Sequence, residues 1–340
     1  MWKHSLALSV CFAGALLLTG CNLRFTTGFA KDTVARINDT DISIGMYSLL
    51  VSEQKLELEE MLDSGVWDEK PDGVMTMADY VSDEALDVLK HITVVNSIAE
   101  NMGLTLSERD RERVSGATEK YLESAGDELK EICSDEDIEE FYSRLYLAEK
   151  TFYAATENVD TEVSSDEARC ISVQYIFLST LKRDEGGNLV SVSASEKITK
   201  KEALETALKE INEGKDFLLT ADSYSEASQN SLTLTKEQYD EGFTNEAFSL
   251  ESGEVSDIIE TDYGYYIIKC INDNIETDYE ERCEDIVYHR RKTAFADTYI
   301  EAEAGCEVRY NEELLDDVDI EEIPLGSGML YEIFYEYFNG

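Results

Sequence analysis

Apolar residues recur at helical spacing through much of the first 160 positions, whereas between about 170 and 270 they fall in short runs broken by glycine and acidic turns. The run Val34 to Ser43 reads as a strand, a turn and a helix start. Ser43 can cap the helix that follows, whose Ile44, Tyr47, Leu50 and Val51 share a face. Three more helices are predicted, at about Met75 to Asn101, about Ser107 to Ala125 and about Asp135 to Thr156. Gly103 closes the first and Gly126 suits a stop for the second. The third has Ser134 leading in, Asp137 in capping-box position, and Ile138, Phe141, Tyr142, Leu145, Ala148 and Phe152 on one stripe, either core or a surface for hydrophobic clients.

Residues 157–168 read as a linker, and Cys170 to Leu178 as a first strand. Residues 180–198, with Gly186 and Gly187, read as a loop or hairpin. Thr199 and Glu202 are expected to form a capping box for a helix ended by Gly214, and Asp216 to cap the next helix. From Phe248 the pattern gives a helix end, a turn at Gly253, a strand Val255 to Glu260, a tight turn through Asp262 and Gly264, and a closing strand Tyr265 to Cys270. Thr277 and Glu280 suggest another capping box, opening a helix of about 25 residues. Cys306 to Tyr310 reads as a short strand before the acidic stretch Asn311 to Glu322. The final segment carries Tyr331, Phe334, Tyr335, Tyr337 and Phe338, and the pattern leaves open whether it packs, binds or hangs free.

Charge narrows the function. With 74 acidic against 29 basic residues the formal net charge is −45, spread along the whole chain. Such a surface repels nucleic acid and anionic headgroups, and argues against both as direct partners. Met1 to His4 is a short charged start, Leu6 to Leu18 an apolar run too short for a comfortable membrane span, and Leu18-Thr19-Gly20-Cys21 follows at once. This is similar to the secretion signal and lipobox of bacterial lipoproteins. The resemblance implies a signal at 1–21, lipidation of Cys21 and an extracytoplasmic chain tethered to the cell membrane. Five further cysteines follow, Cys133, Cys170, Cys270, Cys283 and Cys306, without a CxxC pair or a His/Cys cluster at ligand spacing. No metal site and no cofactor is expected. A Cys170–Cys270 disulfide and buried free thiols both remain open.

The stretch from Ala247 onward resembles the end of a parvulin-type peptidyl-prolyl isomerase domain. Ala247, Phe248, Leu250, Gly253, Glu254, Ser256, Thr261, Gly264, Tyr265, Ile267, Ile268 and Lys269 match the family pattern in register. Gly214, Asp216, Phe217, Ala221, Tyr224 and Ser225 match an earlier one. The resemblance implies catalytic positions at Tyr175, Ala227, Thr261 and Tyr266, and a proline slot at Tyr239, Phe243 and Phe248. Three of the polar positions depart from the family: Tyr175 and Tyr266 stand where it has histidines, and Ala227 where it has Asp or Cys. His4, His91 and His289 are the only histidines.

The opening at Val34 and the helical flanks are similar to secreted foldases of the PrsA and SurA type. The expected fold is α+β, a mainly helical chaperone domain with an inserted parvulin-like domain of small antiparallel sheet and surrounding helices. The expected divisions are 22–160 helical, 167–272 parvulin-like, 273–322 a helix and strand completing the helical domain, and 323–340 an aromatic tail. The implied partners are unfolded secreted polypeptides, with a homodimer compatible with the layout. The rival is a catalytically silent chaperone or peptide-binding lipoprotein on the same fold.

Overall fold

The structure, a computed structural model, describes residues 28–62, 65–71, 73–184, 186–236 and 239–338. The signal at 1–21, with Cys21, lies outside the described residues. The fold is α+β, and the chain groups into two units, Met1–Val159 with Arg290–Gly340, and Asp160–His289.

In the first unit a turn at Asn38 and Asp39 folds β1 (Thr33–Ile37) onto β2 (Thr40–Ser43). Asn38 takes φ 52, which asparagine tolerates because its short amide can bond locally. Thr40 to Ser43, expected as turn and helix start, is therefore a second strand. Ser43 then caps α1 (Ile44–Met61), its Oγ accepting from Met46 N at 3.1 Å. Helices α2 (Met77–Met102), α3 (Glu108–Ser124) and α5 (Asp135–Ala155) each open on a closed capping box, at Thr76/Asp79, Ser107/Asp110 and Ser134/Asp137. Gly103 ends α2 at φ 71. Gly126 does not end α3 as a left-handed cap. It lies at φ −67 and begins the short α4 (Asp127–Ile132), while α3 stops at Ala125.

The second unit is built on an antiparallel sheet of β3 (Ile171–Ser179), β6 (Ser231–Leu234), β7 (Ile259–Glu260) and β8 (Gly264–Asn272), in the order β6-β3-β8-β7. After β3 a small hairpin, β4 (Leu181–Arg183) and β5 (Leu189–Ser191), leads into α6 (Ala194–Asn212). The helix begins at Ser193, six residues before the expected box at Thr199, because Ser193 Oγ accepts from Glu196 N at 3.2 Å. Thr199 is one turn inside, its hydroxyl bonded back to Ser195 O. Gly214, at φ 98, and the Asp216 cap join α6 to α7 (Phe217–Tyr224). Helix α8 (Glu241–Ser249) starts on the side chain of Asp240.

The strand expected over Val255 to Glu260 shrinks to β7 and one bridge, Val255 with Lys269. Between them Ser256 turns inward: its N–H donates to Ile268 O and its Oγ accepts from Ile268 N, at 2.8 and 2.9 Å. That side chain replaces a rung of the ladder. Side chains of β3 and β8 alternate between two cores. Ile176, Leu178, Tyr265 and Ile267 pack with α6 and α7 through Leu204, Ala207, Phe217 and Ala221. Ile171, Val173, Ile268 and Cys270 pack with α8 through Phe243, Ala247 and Phe248. Cys170 and Cys270 are both buried and, like the other thiols among the described residues, free, so no disulfide joins them.

Helix α9 (Tyr279–Ala304) carries the chain back into the first unit. Asp278 before it has φ 60, so Thr277 does not cap that helix as expected. Strand β9 (Val308–Tyr310) pairs antiparallel with β1, giving the order β2-β1-β9. After the short α10 (Glu312–Asp316), Lys55 of α1, itself 3 % exposed, donates to the carbonyls of Ile320, Glu321 and Ile323 at 2.9, 2.8 and 2.6 Å. Glu53, also buried, accepts from Tyr121 Oη at 2.6 Å and Ser327 N at 2.8 Å. The aromatic tail packs: α11 (Leu330–Phe338) buries Leu330, Ile333, Phe334 and Phe338 in the helical core, and Tyr142 Oη donates to Leu330 O at 2.9 Å.

Candidate functional site

The candidate site lies on the α8 face of the sheet, where β3 and β8 run side by side. Phe177 pairs across the ladder with Tyr266 and Tyr175 with Ile268, so Tyr175, Phe177 and Tyr266 project to one side. Helix α8 brings Phe243 down onto them. Its ring stands edge-on to Tyr175 at 6.2 Å and to Tyr266 at 4.9 Å between centroids, and Tyr175 and Tyr266 are 6.3 Å apart. Tyr266 stacks on Phe177 at 4.6 Å, and Tyr239 leans on Phe243 at 5.5 Å. The result is an aromatic floor of five rings in edge and offset contact, the arrangements ring quadrupoles favour.

Backbone hydrogen bonds fix this floor. Thr261 Oγ1 accepts from the amides of Tyr263 and Gly264 at 3.2 and 3.3 Å, closing the turn that sets the register of β8. Ser225 Oγ accepts from Phe177 N at 3.1 Å and from Ala227 N at 3.2 Å, and Glu226 N donates to Phe177 O at 2.8 Å. Ala227 is thereby tied beside Phe177 of β3, and its side chain is a methyl group.

Of the residues singled out by sequence, the structure brings Tyr175, Tyr266, Phe243 and Tyr239 together. Thr261 shapes the turn next to them. Phe248 packs in the same core as Phe243, with the Arg169 guanidinium and Lys236 ammonium 4.8 and 5.7 Å from its ring centroid. Phe177 is the ring that sequence reasoning passed over. The signal was present, since it stands two residues after Tyr175 on the same strand face.

Burial pushes the Tyr266 phenol up to about 12, with the charge of Asp240 adding to it, and burial raises the Tyr175 phenol as well. Both stay protonated at neutral pH, as neutral groups that can donate one hydrogen bond and accept others. The floor therefore presents apolar ring surface and neutral hydroxyls. Such a surface is chemically suited to apolar rings and amides, which it can contact and hydrogen-bond without forming a covalent bond. Among the described residues, no three His, Cys, Asp or Glu side chains gather as a metal site.

Residues 177–272 match the model of the rotamase family, the PPIC-type PPIase domain. The second unit holds a parvulin-type domain. No curated protein matches the sequence. Solved structures similar to the chain include the following three. A peptidylprolyl isomerase (PrsA) from Bacillus cereus is 18 % identical over 77 % of this chain and 94 % of its own, with a TM-score of 0.38. That from Bacillus anthracis is 20 % identical over 64 % and 95 %, with a TM-score of 0.35. A SurA-like chaperone of Campylobacter jejuni is 11 % identical over 82 % and 98 %, with a TM-score of 0.29. Tyr266 lies inside the matched segment and Tyr175 two residues before it. His91 and His289 lie outside the matched segment.

Proposed function

We propose that this protein is a lipid-anchored, extracytoplasmic folding factor that binds unfolded secreted polypeptides and receives their X-Pro segments on the aromatic floor of its parvulin-type domain. The observation that supports this reading is Phe243 standing edge-on to both Tyr175 and Tyr266, with Phe243 and Tyr266 inside the matched segment and Tyr175 two residues before it. Rotation about X-Pro is slow, tens to hundreds of seconds, and its catalysis requires only an apolar grip, exclusion of water and hydrogen bonds that favour the twisted amide. Phe243 and Tyr239 supply the grip, Tyr175 and Tyr266 the hydroxyls. The anchor would be Cys21, and the acidic surface would keep the tethered domains soluble.

The tight packing of Tyr266 favours a second reading, binding without turnover. Stacked at 4.6 Å on Phe177 and set 4.9 Å from Phe243, its ring takes up space that a smaller imidazole would leave. The two readings separate in one experiment, the cis/trans exchange rate of short X-Pro peptides measured by NMR with the protein, with Tyr266→Phe and with Tyr175→His/Tyr266→His. Acceleration that falls at least tenfold in Tyr266→Phe identifies the phenol as part of a working floor. No acceleration by the unaltered protein, with suppressed aggregation of a proline-free denatured client, identifies a silent chaperone. Failure of both activities would refute the folding-factor proposal.

A further inference from the structure

A cavity of about 460 Å³ opens beside α8, next to the floor. Its lining includes Arg169, Lys236, Tyr239, Thr244, Asn245 and Phe248. Thr244 is 5 % exposed and its hydroxyl has no hydrogen-bond partner. Arg169 Nε is likewise buried and unbonded: it sits 3.9 Å from Asp166 Oδ1, an ion-pair distance beyond hydrogen-bond reach. The rest of the guanidinium is held in place, Nη2 donating to Phe248 O while the group lies over the Phe248 ring. Lys236 is paired with Asp166, and Asp166 is 67 % exposed, so water screens much of its charge. Glu241, which also lines the cavity, is exposed. The unbonded donors, Thr244 Oγ1 and Arg169 Nε, are thus buried, whereas the two lining carboxylates, Asp166 and Glu241, are exposed to water. A buried hydroxyl without a partner is destabilising, and a ligand can relieve that.

We propose that this cavity is a carboxylate-binding subsite, in which Arg169 and Thr244 take an acidic side chain of a client polypeptide. The assignment of the carboxylate to a client rests on the folding-factor reading; the binding of a carboxylate does not. Tyr239 connects the two sites, since it lines the cavity and leans on Phe243 of the floor. In a chain of net charge −45 an acidic segment is repelled almost everywhere, so a pocket with buried, unbonded donors selects where along a client the protein holds on.

The probes are N-acetylated, C-amidated Ala-Glu-Pro-Phe-Ala, its Glu→Gln counterpart, and sodium acetate. Binding to the full chain is followed by calorimetry and by NMR shifts of the Thr244 and Asn245 amides. The Glu peptide should bind at least tenfold more tightly than the Gln peptide, with both amides shifting. Thr244→Val, which keeps the side-chain volume, should cut that ratio at least threefold while raising the melting temperature, because a buried unbonded hydroxyl is removed. Arg169→Gln should abolish the preference. Acetate shifting the same amides, with no tighter binding by the peptide, would assign the subsite to small carboxylates instead of clients. Equal affinity for the Glu and Gln peptides overturns the proposal and leaves the floor reading untouched. So does a preference that survives Thr244→Val and Arg169→Gln in folded protein.

Discussion

Gly253 and Gly264 both belong to the closing motif of the parvulin-type domain, yet the structure requires them for different reasons. A methyl group on Gly264 would meet Leu178 O at 2.3 Å and Phe177 Cε2 at 2.6 Å. The first neighbour is backbone of the paired strand, so β3 and β8 would have to separate by about 1 Å at this point, since packed interiors leave no slack. Overpacking of this kind costs about 1–3 kcal/mol, and the value for Gly264→Ala should fall at the upper end, near 3 kcal/mol, because a carbonyl oxygen cannot rotate away. Gly253 stands in open space with φ 90, so Gly253→Ala meets no atom and carries only the conformational penalty, about 1 kcal/mol. The two units make a single unfolding midpoint ambiguous, and native-state hydrogen exchange of the Ile268 and Cys270 amides is the suitable assay. These amides donate to Ser256 Oγ and Glu254 O. At 1.4 kcal/mol per decade, Gly264→Ala should speed their exchange about 100-fold and Gly253→Ala about fivefold. Because the Gly264 methyl also strikes the ring beneath Tyr266, Gly264→Ala should shift the Tyr266 ring resonances, and Gly253→Ala should not. A reversed order of the two effects, or unchanged exchange in Gly264→Ala, would refute the steric argument.

Further outcomes concern the helical unit. Lys55→Met leaves three carbonyls without their shared donor and should cost about 3 kcal/mol, read from the emission of Trp67, whose ring centroid lies 5.5 Å from Lys55 Nζ. Phe338→Ala removes a ring 4.2 Å from Tyr146 and 4.9 Å from Phe334, and should also cost about 3 kcal/mol; a loss below 0.5 kcal/mol would mean that the tail does not pack in solution. Burial raises the Glu149 carboxyl from the ordinary 4.5 to about 7, and its Oε2 has no hydrogen-bond partner. The folded state therefore holds a proton that the unfolded state has released between those values, so stability falls as pH rises from about 4.5 to 7 and levels off above. Glu149→Gln should flatten that slope in urea titrations at stepped pH and raise stability at pH 8.

Much of the second unit was legible because its signals are local. Asp216 caps α7, and Gly214 and Gly253 take positive φ, through demands that a few consecutive residues express by themselves. The start of α6 was not legible for the same reason in reverse. Ser193 to Glu196 and Thr199 to Glu202 carry the same capping pattern, and only the pairing of β4 with β5, which ends at Ser191, leaves Ser193 free to cap while Thr199 is wound inside. The tail shows the limit of periodicity: Leu330, Phe334 and Phe338 at four-residue spacing announce an apolar face, but its partners Tyr142 and Tyr146 lie almost two hundred residues earlier.

The site divides along the same line. Tyr175, Phe243, Tyr239 and Tyr266 could be singled out by resemblance to the family pattern, Tyr175 from its strand triplet, Phe243 and Tyr239 by counting back from Phe248, and Tyr266 from its place after Gly264. Their effect on one another could not, since it follows from the cross-strand pairing of Phe177 with Tyr266 and from the descent of Phe243 between two phenols. A substitution that looks in sequence like the loss of two imidazoles becomes in space the gain of a continuous aromatic surface. Ring area of that kind binds apolar segments whether or not a proline is present. Hydroxyls that stay protonated up to a pKa of about 12 at Tyr266 add hydrogen bonding without charge. Binding on this floor should therefore vary little with pH between 6 and 9, whereas a floor rebuilt as Tyr175→His/Tyr266→His should weaken as the imidazoles protonate below about pH 6.5. Peptide affinity measured across that range tests this: a transition near neutrality in the unaltered protein would mean that some group other than the two phenols controls the floor.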